Sequence, residues 1–140
     1  MTGYEERLIE SAFIARKNSY SPYSGYSVGA ALLCHDGTIV TGANIENASY
    51  GLTMCAERCA VFKAISEGKF EFEAIAICGG PAAASNVLNE YAYPCGACRQ
   101  VISEFVNDYT FEVIVARSKT DYRKHILHEL FPESFGPSNL

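Results

Sequence analysis

The chain has 140 residues, 49% of them hydrophobic and 19% charged. That is enough for one domain with its own core, spanning residues 1–140, and too little for two. Eleven Lys and Arg against 16 Asp and Glu give a formal net charge of −5, which excludes a general electrostatic attraction to nucleic acid or anionic membranes.

Residues 1–7 are polar and acidic, without the basic, apolar and small-residue order of a signal peptide. No apolar run approaches the ~20 residues of a membrane helix, so the expected location is the cytoplasm. Residues 4–17 set Leu8, Ile9, Ala12, Phe13 and Ala15 at near-helical spacing, which predicts an amphipathic first helix. Residues 19–25 are rich in turn formers and read as an ordered loop. Two short apolar runs, 28–34 and 38–43, flank Asp36-Gly37, a hairpin signal. A polar loop, 44–54, leads to a helix over 55–68 closed by Gly68. Residues 74–78 read as a buried strand stopped by Gly79-Gly80-Pro81. A long irregular connection follows, ending at Pro94. Residues 95–106 predict a helix and 111–116 a strand. Residues 122–130 read as a short strand passing into a short helix, and 131–140 as coil. This order predicts an α/β fold: a mixed five-stranded sheet sandwiched by helices, with a parallel crossover joining the strands at 74–78 and 111–116.

Six cysteines in a reducing compartment point to metal or catalysis rather than disulfides. Two segments concentrate them: Thr53-Met54-Cys55-Ala56-Glu57-Arg58 and Tyr93-Pro94-Cys95-Gly96-Ala97-Cys98-Arg99-Gln100. Each opens a helix, where free N–H groups and the positive dipole end favour thiolate. Cys95 and Cys98 are three apart, so one turn aims both sulfurs the same way. Cys55 supplies a third if the two helix starts lie side by side. Three thiolates leave one position on a tetrahedral zinc for water. Glu57 is near enough to take that water's proton. Arg58 can offset the net −1 charge of zinc with three thiolates. A Cys-x-x-Cys pair can also be a redox pair or an inert buried pair. A closed four-sulfur site is the stronger rival, with Cys34, Cys59 or Cys78 as the fourth ligand. Cys59 also falls on a helix face with Ala56 and Phe62, where a core role suffices. Residue pattern alone leaves the open and closed sites undecided.

The joint motif Cys-Ala-Glu-Arg and Pro-Cys-Gly-Ala-Cys-Arg-Gln resembles the cytidine deaminase family. Residues 21–31 (Ser-Pro-Tyr-Ser-Gly-Tyr-Ser-Val-Gly-Ala-Ala), Asn44-Ile45-Glu46-Asn47-Ala48 and Phe135-Gly136-Pro137 extend the resemblance over nearly the whole chain. It implies one zinc per chain on Cys55, Cys95 and Cys98, with Glu57 as acid and base and Arg58 bonded to thiolate. It implies that Asn44 and Glu46, with Ile45 between them, hold the ribose hydroxyls, and that Tyr26 stacks on the base. Backbone near Ala56 holds the exocyclic amine, and Phe135 reaches a neighbouring subunit's site. The implied reaction is hydrolytic deamination of cytidine and 2′-deoxycytidine to the uridines, releasing ammonia, in pyrimidine salvage. The all-cysteine ligand set matches the small homotetrameric branch. Three departures stand out: Tyr26 where Phe is common, Phe131-Pro132 where Leu-Pro is usual, and a longer connection over 79–93. Rival readings are a blasticidin-type deaminase, which Asn44, Glu46 and Arg58 disfavour, and a zinc-stapled binding module without chemistry. A polynucleotide deaminase lacks basic extensions here.

Overall fold

A computed structural model of the chain describes residues 3–140. Met1 and Thr2, part of the polar N-terminal stretch, lie outside the described residues. Helix α1 (Glu5–Arg16) precedes a hairpin of β1 (Tyr26–Cys34) and β2 (Ile39–Ala43), then α2 (Ala56–Ser66), β3 (Phe72–Pro81), α3 (Gly96–Phe105), β4 (Glu112–Ala116), β5 (Tyr122–Ile126) and a single-turn α4 (Leu127–Leu130). The five strands form one mixed sheet in the order β2-β1-β3-β4-β5. Strands β3 and β4 are parallel, as their crossover through α3 requires, and the other pairs are antiparallel.

Both faces of the sheet are covered, and the period-2 alternation sorts its residues between them. Ala30, Leu32, Ile75, Ile77, Val113 and Val115 pack with Ala56, Ala60, Val61 and Ala64 of α2, Ile102 of α3 and Leu127. On the opposite face Ala31, Leu33, Ala74, Ala76, Cys78 and Ile114 meet Leu8, Ile9 and Ala12 of α1. Two covered faces explain why residues 74–78 carry no polar alternation. Phe62 projects outward from α2 and is exposed; it does not share the buried face of Ala56, contrary to its predicted placement.

Two glycines determine where the site forms. At Gly42 a Cβ would lie 2.5 Å from the Ala56 carbonyl oxygen and 2.6 Å from the Ala60 nitrogen, so only glycine lets the backbone of α2 lie directly on β2. Gly79 and Gly80 were expected to end β3. The strand instead runs through them to Pro81, paired with Val28, Ser27 and Tyr26. Their missing side chains make room for neighbours: a Cβ on Gly79 would sit 2.9 Å from Ala92 Cβ and 3.1 Å from the Tyr26 ring. A glycine within a strand here marks a close approach rather than a stop.

Candidate active site

Cys55 is the N-cap of α2 and Cys95 the N-cap of α3, each with extended backbone. The helix starts lie side by side, so Cys55 Sγ is 3.9 Å from Cys95 Sγ, and Cys95 Sγ is 3.3 Å from Cys98 Sγ. All three sulfurs fall within 4.8 Å of one another. Cys95 Sγ also accepts the backbone N–H of Cys98 at 3.4 Å, capping α3. Zn–S bonds of about 2.3 Å at tetrahedral angles place sulfurs about 3.8 Å apart, and the observed separations bracket that value. The donor set therefore fits zinc. Among the described residues no other group of His, Cys, Asp or Glu clusters in this way. Cys34 and Cys78 lie in the two cores, and Cys59 packs against β2 at Gly42. No fourth sulfur joins the three, so the open site prevails over the four-sulfur alternative.

The cluster's electrostatics follow from its neighbours. The Cys98 thiol and the Arg58 guanidinium bring the Cys55 thiol down to about 5, against the effect of burial. Arg58 Nη2 donates to Cys55 Sγ at 3.4 Å, one turn along α2 as its spacing predicts. Glu57 is 4% exposed, and burial pushes its carboxyl up to about 7. A carboxyl in that range exchanges protons readily near neutral pH.

The cluster opens into a cavity of about 430 Å³ whose lining includes Tyr26, Asn44, Cys55, Ala56, Glu57 and Cys95. The predicted residues thus divide into two groups. Tyr26, half-buried at the start of β1, and Ala56 share the cavity with the metal cluster. Asn44 also lines it, but its amide is already engaged: Nδ2 donates to Tyr26 O and Oδ1 accepts Val28 N, each at 2.9 Å. One N–H remains for a ligand. Glu46 lines an adjoining groove with Tyr23, Ser24 and Tyr50, and Thr53 lines both the groove and the cavity. Its Oε1 accepts Tyr23 N at 2.9 Å and Ser24 N at 3.2 Å, and Oε2 accepts the Ser24 hydroxyl. The Ser24 hydroxyl and those amides keep the Glu46 carboxyl below its usual range. Ile45 is exposed and contributes backbone bridges to Tyr20 and Met54. Phe135 is 59% exposed, outside its own chain's cavity, with its carbonyl accepting Gln100 Nε2 at 2.9 Å.

One wall of the cavity lies outside the residues expected from the sequence. Glu90, Tyr91, Ala92 and Tyr93, from the irregular connection, are four successive lining residues. The available signal was two tyrosines spaced by two, immediately before the Pro94-Cys95 helix entry.

A helix-covered mixed sheet that joins three clustered cysteine sulfurs to a buried carboxyl fits a zinc enzyme with an open coordination position. The family model described as the cytidine and deoxycytidylate deaminase zinc-binding region matches residues 3–114. The cytidine deaminase of Sporosarcina psychrophila is 44% identical over 138 residues, covering 96% of this chain and 93% of that one. The crystal structure of cytidine deaminase from Burkholderia pseudomallei is 43% identical, with a TM-score of 0.83, over 96% of this chain and 100% of that one. That from Mycobacterium tuberculosis is 37% identical, with a TM-score of 0.75, over 93% and 95%. The chain belongs to the cytidine deaminase family.

Proposed function

We propose that this protein hydrolyses the C4 amino group of cytidine and 2′-deoxycytidine, giving uridine or 2′-deoxyuridine and ammonia. Residues 1–140 act as one domain. One zinc per chain, held by Cys55, Cys95 and Cys98, supplies a Lewis acid that makes water nucleophilic at neutral pH. The remaining chemistry belongs to side chains. Glu57 takes a proton from the attacking water and delivers it to N3 of the base; it then takes the remaining proton from the new C4 hydroxyl and gives it to the departing amine, which leaves as ammonia. Its burial suits that exchange, because a carboxyl near 7 both accepts and donates. Arg58 holds Cys55 as thiolate. The Tyr26 ring lies against the base, and backbone near Ala56 meets the exocyclic amine. The free Asn44 N–H donates to a ribose hydroxyl, and the ionised Glu46 accepts from one.

The single observation that carries this reading is the buried Glu57 carboxyl beside three clustered sulfurs, with Glu57, Cys55 and Cys95 lining one cavity. The lining also favours a nucleoside over its phosphate. The cavity and its adjoining groove carry Glu46, Glu57 and Glu90, and no Lys, Arg or His lines either. A 5′-phosphate brings about two negative charges at neutral pH and meets no cation. The enzyme works as a homotetramer, in which Phe135 completes a neighbour's site, and serves pyrimidine salvage in the cytoplasm. Among the described residues, no helix is long and apolar enough to cross a membrane.

The test is conversion of cytidine by zinc-loaded protein, followed by chromatography and an ammonia assay. Uridine and ammonia should appear in equal amounts. Intact cytidine in the presence of fully zinc-loaded protein overturns the reading.

A further inference from the structure

The connection between β3 and α3 contains no helix or strand over residues 82–95, yet it builds one side of the substrate cavity. Its shape must therefore come from side-chain anchors rather than from a backbone ladder. At its start, the buried Arg16 donates to the Ser27 carbonyl at 2.9 Å, Ala84 at 3.0 Å and Gly80 at 3.1 Å, and also to Pro81. Midway, Leu88 is buried and its N–H donates to the Arg117 carbonyl at 2.8 Å. At its end, the Tyr91 ring carries the Arg123 guanidinium 4.2 Å and the Arg117 guanidinium 5.0 Å from its centroid. The Tyr91 hydroxyl donates to Asp121 Oδ1 at 2.5 Å. Asp121 Oδ2 in turn holds Arg117 Nη2 at 2.7 Å. The Tyr93 hydroxyl is 3.0 Å from His125 Nε2.

Both tyrosine hydroxyls are thus engaged by β5 and the turn before it, while residues 90–93 line the cavity. Resting on the deaminase reading, we propose that Arg123 and Asp121 are positioning residues for substrate binding, acting through Tyr91 to hold the 90–93 wall in place. Neither lines the cavity, so neither moves a proton in the reaction. As an ion pair on a partly exposed surface, Asp121 with Arg117 contributes little to overall stability. The larger consequence of the cluster is where it puts the wall. Releasing Tyr91 widens one side of the cavity and weakens ground-state and transition-state binding alike, which raises KM without changing kcat.

The experiment compares wild type, Arg123→Ala, Arg123→Lys and Tyr91→Phe, all zinc-loaded. It records KM and kcat for cytidine, the Kd of the product uridine, and Tm. Arg123→Ala should raise KM and the uridine Kd together, by about twofold to fivefold, the range of one exposed cation–π contact. Its kcat should stay within about twofold. Arg123→Lys should recover most of the loss, because an ammonium also sits over the ring. Tyr91→Phe, which deletes only the hydroxyl given to Asp121, should give a smaller rise in KM and provides the reading if Arg123→Ala does not fold. A fall in Tm with KM and uridine Kd unchanged overturns the proposal, as does a loss of kcat at constant KM. Failure of the deaminase reading looks different, since wild type itself then leaves cytidine intact.

Discussion

Gly79→Ala tests how closely the sheet and the cavity depend on each other. The new Cβ would stand 2.9 Å from Ala92 Cβ and between 3.1 and 3.2 Å from the Tyr26 ring edge and hydroxyl. Ala92 has no rotamer with which to yield, so relief must come from the 91–93 backbone or from turning the Tyr26 ring, and both line the cavity. Overpacking of this kind costs about 1–3 kcal/mol. Alanine's lower backbone entropy in the unfolded chain returns only about 0.5–1 kcal/mol. The net, about 0–2.5 kcal/mol, should lower Tm by up to roughly 10 °C for a chain of this length. Displacing either wall should also raise KM for cytidine by about fivefold, the equivalent of about 1 kcal/mol of binding. Gly80→Ala is the control. Its Cβ meets the terminal Cδ2 of Leu88 at 2.9 Å, a flexible group in the core on the opposite side of the sheet from α2. It should cost some stability and leave KM alone. Steady-state kinetics and thermal melts on both variants decide the matter. An unchanged KM in Gly79→Ala, or an equal rise in Gly80→Ala, would refute the close-approach argument.

Replacing Cys55, Cys95 or Cys98 with Ala should abolish zinc binding and activity, whereas Cys34→Ala, Cys59→Ala and Cys78→Ala should keep one zinc and near-normal turnover; atomic absorption with the cytidine assay separates the two sets, and full activity in Cys98→Ala contradicts the ligand assignment. Arg58→Gln removes the cation donating to Cys55 and should weaken zinc affinity about 10- to 100-fold, measured by chelator competition; unchanged affinity means that Arg58 does not stabilise the thiolate. Phe135→Ala should raise KM more than it lowers kcat, and deleting residues 131–140 should also shift the protein from tetramer to smaller species in sedimentation; an active monomer would contradict a shared site.

The zinc centre was the most legible part of the molecule because its chemistry is local. Cys95 and Cys98 sit one helical turn apart, and Cys55, Glu57 and Arg58 share another helix start, so spacing groups each set, while joining the two sets needed the family resemblance and the side-by-side helix starts. What spacing could not decide was the fourth ligand. That answer needed Gly42 and the cores, which hold Cys34, Cys59 and Cys78 away from the cluster. The strands and helices follow from periodicity, while β3 extends past the end that a glycine pair usually marks in a strand. Gly79 and Gly80 instead serve contacts with Ala92, Tyr26 and Leu88, residues 10 or more positions away in the chain except for Leu88. The cavity wall at 90–93 was illegible for the same reason. Its anchors, Arg117, Asp121, Arg123 and His125, are brought to it only by the pairing of β4 with β5 beyond α3.

If Glu57 moves the protons beside a zinc held by Cys55, Cys95 and Cys98, zinc content and cytidine turnover measured on one sample of Glu57→Gln must part company. Glutamine keeps the shape and leaves the three sulfurs untouched, but it cannot accept a proton at neutral pH. Zinc should remain at one per chain. Turnover should fall by at least about 10⁴-fold, the upper end for a single acid–base group, because Glu57 handles more than one proton transfer. A Glu57→Gln protein that keeps its zinc and turns over cytidine within tenfold of wild type would show that another group moves the protons.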